Sequence, residues 1–173
     1  KKNILVMGDS HAQDFINMVY ENDYFMDYNV RTQDFNIECY SKFIKTKNET
    51  VKSKIKKCKT KIPENLNYVD IIFFVNVWED WLIDNFNEII NNEIFNNKKI
   101  YIMGVKNFGK IDIKKLINLS NKERLDYKFK LDYKWIKIDE KLQSSLPPEI
   151  YVSPYNAYCD QNLNCRIFTN NYE

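Results

Sequence analysis

Hydrophobic residues in this chain occur in short runs, separated by longer segments in which apolar positions recur at helical spacing. The first run, residues 4–7, is followed by Gly8-Asp9-Ser10 and then by residues 12–20, where apolar positions lie three or four apart. This pattern predicts a short buried strand, a tight turn and an amphipathic helix. Gly8 suits the turn, and Asp9 and Ser10 are residues that commonly begin a helix.

The clearest strand prediction lies in the middle of the chain, at residues 68–77. Its apolar residues are continuous rather than alternating, which is typical of a parallel strand buried on both faces. Residues 80–95 predict an amphipathic helix, and residues 99–105 predict a second buried strand. Weaker strand patterns occur within residues 30–40 and at residues 149–152.

The other segments carry less pronounced patterns. Residues 112–119 predict a short helix, and residues 121–142 predict a long helix that a proline pair ends. Residues 153–158 are expected to form a loop, and residues 165–168 a short hairpin-like end.

Strand and helix patterns alternate along the whole chain, with no internal repeat and no linker. The alternation predicts one domain over residues 1–173, an α/β fold in which a mainly parallel sheet lies between two helical layers. Right-handed crossovers would bring the ends of the first, third and fourth strands to one edge of the sheet. These ends carry Ser10, residues 76–78 and residues 104–107.

Composition narrows the functional classes. A net charge of +2 argues against a dedicated nucleic-acid-binding protein, which usually carries a strong basic excess. No apolar run approaches the roughly 20 residues of a membrane span, and no signal peptide is visible. Residues 42–61 are rich in lysine and contain almost no acid. Such a run is usually solvated surface, and less often a contact surface for an anionic glycan or lipid head group.

The four cysteines form two pairs that are close in sequence. Neither pair has the spacing of zinc ligands and the single histidine is too few for a mixed site, so no metal site is predicted. Two alternatives remain: buried free thiols in a cytosolic protein, or two local disulfides in an oxidising compartment. Each pair flanks a polar, loop-like stretch, which favours the disulfides Cys39–Cys58 and Cys159–Cys165.

The string Gly8-Asp9-Ser10-His11-Ala12, placed directly after the first strand, resembles the first motif of the SGNH hydrolase superfamily. It is most similar to the Gly-Asp-Ser-His form in SGNH domains fused to acyltransferase-3 membrane proteins. Those proteins add acyl groups, usually acetyl, to bacterial surface polysaccharides. The resemblance implies an SGNH or flavodoxin-like version of the predicted fold, with Ser10 as the nucleophile. Capping alone explains many Asp-Ser pairs before a helix, so the position after a strand carries the comparison.

An acyl-transfer serine needs donors that hold the oxyanion of its intermediate. The backbone N–H of Ser10 is one candidate, and Asn76 is a second, because the family has an asparagine after this strand. Trp78 matches a tryptophan found there in the acyltransferase-fused members, although core packing also explains it. The usual Gly-x-Asn-Asp string is replaced here by Val75-Asn76-Val77-Trp78, and the family's donor glycine after the second strand has no match.

The family's catalytic base lies in an Asp-x-x-His string near the C-terminus, whereas the only histidine here is His11. Adjacent residues at a helix start point in different directions, so Asp9 and His11 are expected to be structural or substrate-facing. Residues 158–173 resemble the cysteine-bridged segment that precedes the string in the family. We therefore expect an excised domain of a longer membrane-associated protein, with its base beyond residue 173.

The leading hypothesis is the extracytoplasmic SGNH domain of a membrane-tethered carbohydrate O-acyltransferase. Ser10 would accept an acyl group from a partner membrane domain and pass it to a glycan acceptor. One alternative is an acyl esterase of the same fold, in which water replaces the glycan. Another is a non-catalytic glycan-binding module, which the missing base favours. No cofactor is expected, and no nucleic-acid partner.

Overall fold

A computed structural model describes residues 1–45, 48–62, 66–107 and 112–166. Its strands are β1 (Lys2–Gly8), β2 (Tyr28–Asp34), β3 (Ile71–Val75), β4 (Lys99–Met103), β5 (Lys128–Lys130), β6 (Tyr151–Val152) and β7 (Asn164–Arg166). Its helices are α1 (Ser10–Glu21), α2 (Glu49–Lys57), α3 (Asp80–Ile90), α4 (Ile113–Ile117), α5 (Asn121–Asp126), α6 (Tyr133–Ser144) and α7 (Pro154–Tyr158). The predicted three-layer α/β/α architecture is confirmed.

The central sheet has five strands in the order β2-β1-β3-β4-β6, and every neighbouring pair is parallel. This is the doubly wound order of flavodoxin-like folds. The chain steps from β1 to β2 in one direction and then from β3 through β4 to β6 in the other. Right-handed crossovers therefore put α1 on one face of the sheet and α3 and α6 on the opposite face.

The larger core lies on the α3 face. Alternate residues of β1 and β3 point into it, and it is filled by aromatic rings that pack edge to face. Its fully buried members include Met7, Tyr40, Phe74 and Phe86. The smaller core lies under α1 and contains the intervening strand residues, such as Val6 and Phe73.

Two packed elements lie at the start of the lysine-rich stretch and within it. Residues 37–43 form a 3₁₀ helix that buries Cys39, Tyr40 and Phe43. Helix α2 follows and buries Val51, while Lys52, Lys56 and Lys57 are exposed. The bond between Cys39 and Cys58 ties the end of α2 to the 3₁₀ helix.

The long helix predicted over residues 121–142 is wrong. It is interrupted by β5, which pairs antiparallel with β7, and the chain begins a new helix at Asp132, whose carboxylate caps α6. Phe129 is opposite Cys165 in this small sheet, and Cys165 is bonded to Cys159. Pairing with a segment over 30 residues away thus overrides the helical periodicity.

Three smaller differences from the sequence predictions lie at the ends of predicted segments. Helix α3 ends at Ile90, and a separate 3₁₀ turn at residues 93–95 completes the predicted segment. The expected loop at 153–158 contains α7, which Ser153 caps and Pro154 begins. The hairpin-like end is β7, and residues 167 and 168 lie outside the described residues.

Within the described ranges, none of the helices combines the length and apolar character needed to cross a bilayer.

Candidate functional site

Three loops meet at the carboxyl edge of the sheet, because β1, β3 and β4 are parallel neighbours. The first carries Asp9 and begins α1 at Ser10, which is exposed. The second is Asn76–Val77–Trp78 after β3, and the third begins at Gly104 after β4. The sequence-predicted residues of the first two loops therefore share one edge of the molecule.

Gly8 is required by the neighbouring strand. A Cβ at this position would overlap the backbone carbonyl oxygen of Val75, the residue opposite Gly8 in β3. The sequence predicts Gly8 in a sharp turn, whereas in the structure Gly8 is the last residue of β1. Its lack of a side chain lets the ends of β1 and β3 approach closely, directly before Ser10.

The Asp9 carboxylate joins two of these loops. Oδ1 accepts a hydrogen bond from the His11 backbone N–H at 2.9 Å and lies 3.1 Å from His11 Nδ1. Oδ2 accepts from the Val77 N–H at 2.9 Å. Burial acts to raise the pKa of Asp9, but the bonds from the His11 ring and the two backbone N–H groups outweigh it, so the pKa lies below its ordinary value. Asp9 is thus a charged anchor that fixes the turn before Ser10.

Ser10 and His11 line different depressions. The Ser10 depression has a volume of about 360 Å³ and lies between the start of α1 and the end of β2. It is lined by Gly8, Asp9, Ser10, Ala12, Gln13, Thr32, Gln33 and Asp34. His11 instead lines a narrow crevice of about 10 Å³ together with residues of the β3 and β4 loops.

Asn76 and Trp78 lie in that crevice and not in the described lining of the Ser10 depression. Asn76 is 3% exposed, and its Nδ2 donates to the Tyr40 hydroxyl at 2.9 Å. Trp78 is 2% exposed, and its Nε1 donates to the Met103 carbonyl at 2.9 Å. The Trp78 Nε1 and the Asn76 Nδ2 thus have partners inside the fold, whereas the Asn76 Oδ1 is buried without a hydrogen-bond partner among the described residues.

Two residues without a sequence signal also shape this edge. Lys106 Nζ donates to the His11 carbonyl at 3.1 Å and lies 2.8 Å from Asp14 Oδ2, so it ties the β4 loop to α1. Asp139, from α6, accepts from the Val105 N–H at 2.9 Å and from the Tyr151 hydroxyl at 2.6 Å. Burial raises the pKa of Asp139 despite these two bonds. The contacts of Lys106 and of Asp139 join residues more than 10 positions apart, and local sequence patterns do not predict such contacts.

The chemistry available around Ser10 is that of a hydroxyl beside a helix N-terminus. The Ser10 N–H lies in the first turn of α1, where backbone donors have no partner within the helix. This end of a 12-residue helix favours negative charge. Among the described residues, no group of three or more metal-ligating side chains lies close enough to hold a metal ion.

Comparison with known proteins does not assign the chain to a family. No protein-family model matches it, and no curated protein matches it. A fold alone does not define a function, so the evidence for function lies in the residues at this edge of the sheet.

Proposed function

We propose that this chain is an SGNH-type domain that transfers an acyl group through Ser10 to a glycan hydroxyl. One observation carries the proposal: Ser10 is exposed at the first position of α1, directly after β1, on the carboxyl edge of a parallel sheet. Open α/β sheets bind their ligands at this edge. The helix N-terminus there also stabilises the oxyanion that forms during acyl transfer.

In the proposed reaction, Ser10 Oγ attacks the carbonyl carbon of an acyl donor and loses its proton to a base. The donor's leaving group departs with a proton, and the acyl group stays on Ser10 as an ester. A glycan hydroxyl then attacks this ester, which releases Ser10 and forms the acylated glycan. In the esterase alternative, water takes the place of the glycan hydroxyl.

Asp9 supports this chemistry by position. Its carboxylate holds the turn before Ser10 against the Val77 N–H. Because the Asn76 Nδ2 donates to the Tyr40 hydroxyl and the His11 N–H donates to Asp9, the oxyanion is assigned to the backbone N–H of Ser10. Asn76 and Trp78 then have structural roles in the neighbouring crevice and do not contact the reacting atoms.

His11 is not assigned as the base, because its ring lines the neighbouring crevice and not the Ser10 depression. The proposal takes the base from an Asp-x-x-His string that the family resemblance puts after residue 173. The same observation on His11 favours the second candidate, a glycan-binding module of this fold without catalysis.

The two disulfides support an extracytoplasmic location, since such bonds persist in oxidising compartments. An acyl donor held by a membrane acyltransferase domain fits that location. The proposal thus includes a tether to such a domain as its partner.

The test compares hydrolysis of p-nitrophenyl acetate by three proteins: the 173-residue chain, a longer form with an Asp-x-x-His string after residue 173, and that form with Ser10→Ala. We expect activity in the longer form, little in the short chain, and a loss on the order of 10³-fold or more with Ser10→Ala. Ser144→Ala, which removes an exposed hydroxyl in α6, is the matched control and keeps activity.

Equal activity with and without the Ser10 hydroxyl would overturn the acyl-serine mechanism. An inactive longer form that binds glycan would favour the binding module. Adding an oligosaccharide to the active form separates transfer from hydrolysis, because only transfer yields an acetylated sugar.

A further inference from the structure

The charge of this protein is concentrated in one segment. Residues 42–61, here called the basic segment, hold nine lysines and one glutamate, a formal charge of +8. The whole chain has a net charge of +2, so the remaining residues carry −6. An asymmetry of this size creates a local positive field that attracts anions over distances beyond direct contact.

The basic segment is held firmly to the domain. Cys58, at the end of α2, is bonded to Cys39 in the core, and Val51 is buried against the same core. Lys42 Nζ donates to the Thr60 carbonyl at 2.7 Å, which fixes the chain after α2. The backbone of residues 48–61 therefore has a fixed position against the domain.

Most of this charge is available to a ligand. Among the described residues, the segment's ion pairs join Lys52 to Glu49 and Lys54 to Glu79. Lys45, Lys56, Lys57, Lys59 and Lys61 are exposed, and within the described residues none of their ammonium groups pairs with a carboxylate.

The basic segment borders the edge of the sheet that carries Ser10. Lys54 Nζ lies 3.1 Å from Glu79 Oε2, and Glu79 comes two residues after Val77, whose N–H bonds Asp9. On the other side, the β2 wall of the Ser10 depression continues within a few residues to Cys39 and its bond to Cys58. A polymer lying along the lysines would thus pass close to the Ser10 depression.

We propose that the basic segment binds an acidic polysaccharide, and that the acceptor of the acyl group is therefore a polyanionic glycan. The role as acceptor rests on the proposed function, whereas the binding itself does not. A lipid surface fits less well, because membrane-bound helices bury an apolar face in the bilayer. In α2 the apolar residues Val51 and Ile55 pack toward the core, and the outward face is polar.

The test uses the 173-residue chain and measures binding to fluorescently labelled polygalacturonate by anisotropy. One variant carries Lys→Gln at Lys56, Lys57, Lys59 and Lys61. The matched control carries Lys→Gln at four exposed lysines elsewhere, Lys2, Lys114, Lys122 and Lys130, and has the same net charge. Glutamine has nearly the helix propensity of lysine, and circular dichroism checks the fold of each protein.

We expect the basic-segment variant to bind roughly ten- to hundred-fold more weakly at 50 mM salt, and the control to bind within about twofold of the native chain. Native binding should weaken steeply with added salt, as expected for release of counterions. Neutral dextran should not compete.

Equal loss in both variants, or competition by dextran, would overturn the proposal. Binding to phosphatidylglycerol vesicles without binding to polygalacturonate would replace it with a membrane surface. If Ser10 proves inactive in acyl transfer but polygalacturonate still binds, the proposed function fails and the binding surface stands. If Ser10 is active and polygalacturonate does not bind, this inference alone fails.

Discussion

Asp9 is the residue on which the geometry around Ser10 depends most. Its two carboxylate oxygens accept from the His11 and Val77 backbone N–H groups, which belong to α1 and to the loop after β3. The side chain is about one quarter exposed, so bulk water only partly replaces these bonds if the carboxylate is lost. An unsatisfied, partly buried N–H group costs free energy comparable to a lost hydrogen bond.

We predict that Asp9→Ala lowers the free energy of unfolding at pH 7 by about 1–3 kcal/mol, through loss of the helix cap and of the Val77 contact. Urea denaturation measures this change. Asp27→Ala, which removes an exposed carboxylate before β2, should change the stability by less than about 0.5 kcal/mol.

The loss of stability caused by Asp9→Ala is expected to depend on pH. Because the pKa of Asp9 is lower in the folded state, its contribution is fully present above the ordinary value of 3.8 and is lost as the pH falls through the folded pKa. The difference in stability between the native chain and Asp9→Ala should therefore shrink below pH 3.8. A difference that stays constant down to pH 2 would contradict the assigned role.

At the scale of elements, α2 is the helix whose stability depends most on contacts with the rest of the protein. It has nine residues and four lysines, too short and too positively charged to be stable alone. Its support comes from buried Val51 and from the bond of Cys58 to Cys39. The order of the basic segment thus depends on this disulfide.

We predict that the double substitution Cys39→Ala, Cys58→Ala lowers the free energy of unfolding by about 3 kcal/mol. The bond spans 19 positions, and opening it restores the corresponding loop entropy to the unfolded chain. The matched variant Cys159→Ala, Cys165→Ala opens a loop of 6 positions and should cost about 2 kcal/mol. Urea denaturation gives both values, and a larger loss from the shorter loop would contradict this ranking.

At the scale of the molecule, the two faces of the sheet are unequally covered. The α3 face holds the large aromatic core, in which Phe74 is fully buried against Tyr40, Phe86 and Phe95. On the α1 face, Tyr101 is only partly buried and stacks on Phe73. Most of the hydrophobic stabilisation therefore comes from one side of the sheet.

We predict that Phe74→Ala lowers the free energy of unfolding by about 3–5 kcal/mol, since it leaves a cavity in a close-packed core. Tyr101→Ala on the neighbouring strand should cost less than half as much, because solvent already reaches that ring. Chemical denaturation of both variants checks the ratio. Equal losses would mean that the two faces stabilise the fold equally.

The sequence alone determined the features that depend on near neighbours in the chain. Continuous apolar runs marked β1 and β3, which are buried on both faces, and also β4, although only Ile102 of β4 is buried. The turn before α1 and the exposed position of Ser10 followed from a strand ending directly before a helix cap. The two disulfides were also predicted correctly, and both are local pairings.

Only the tertiary structure decided which distant side chains meet. The Asn76 Nδ2 donates to the Tyr40 hydroxyl, 36 positions away. Likewise, β5 replaces part of a predicted helix because β7 offers it a partner. Periodicity and capping report the environment within a few residues of each position. Contacts between distant segments depend instead on how the whole chain packs, as the bond from Val77 to Asp9, 68 positions apart, illustrates.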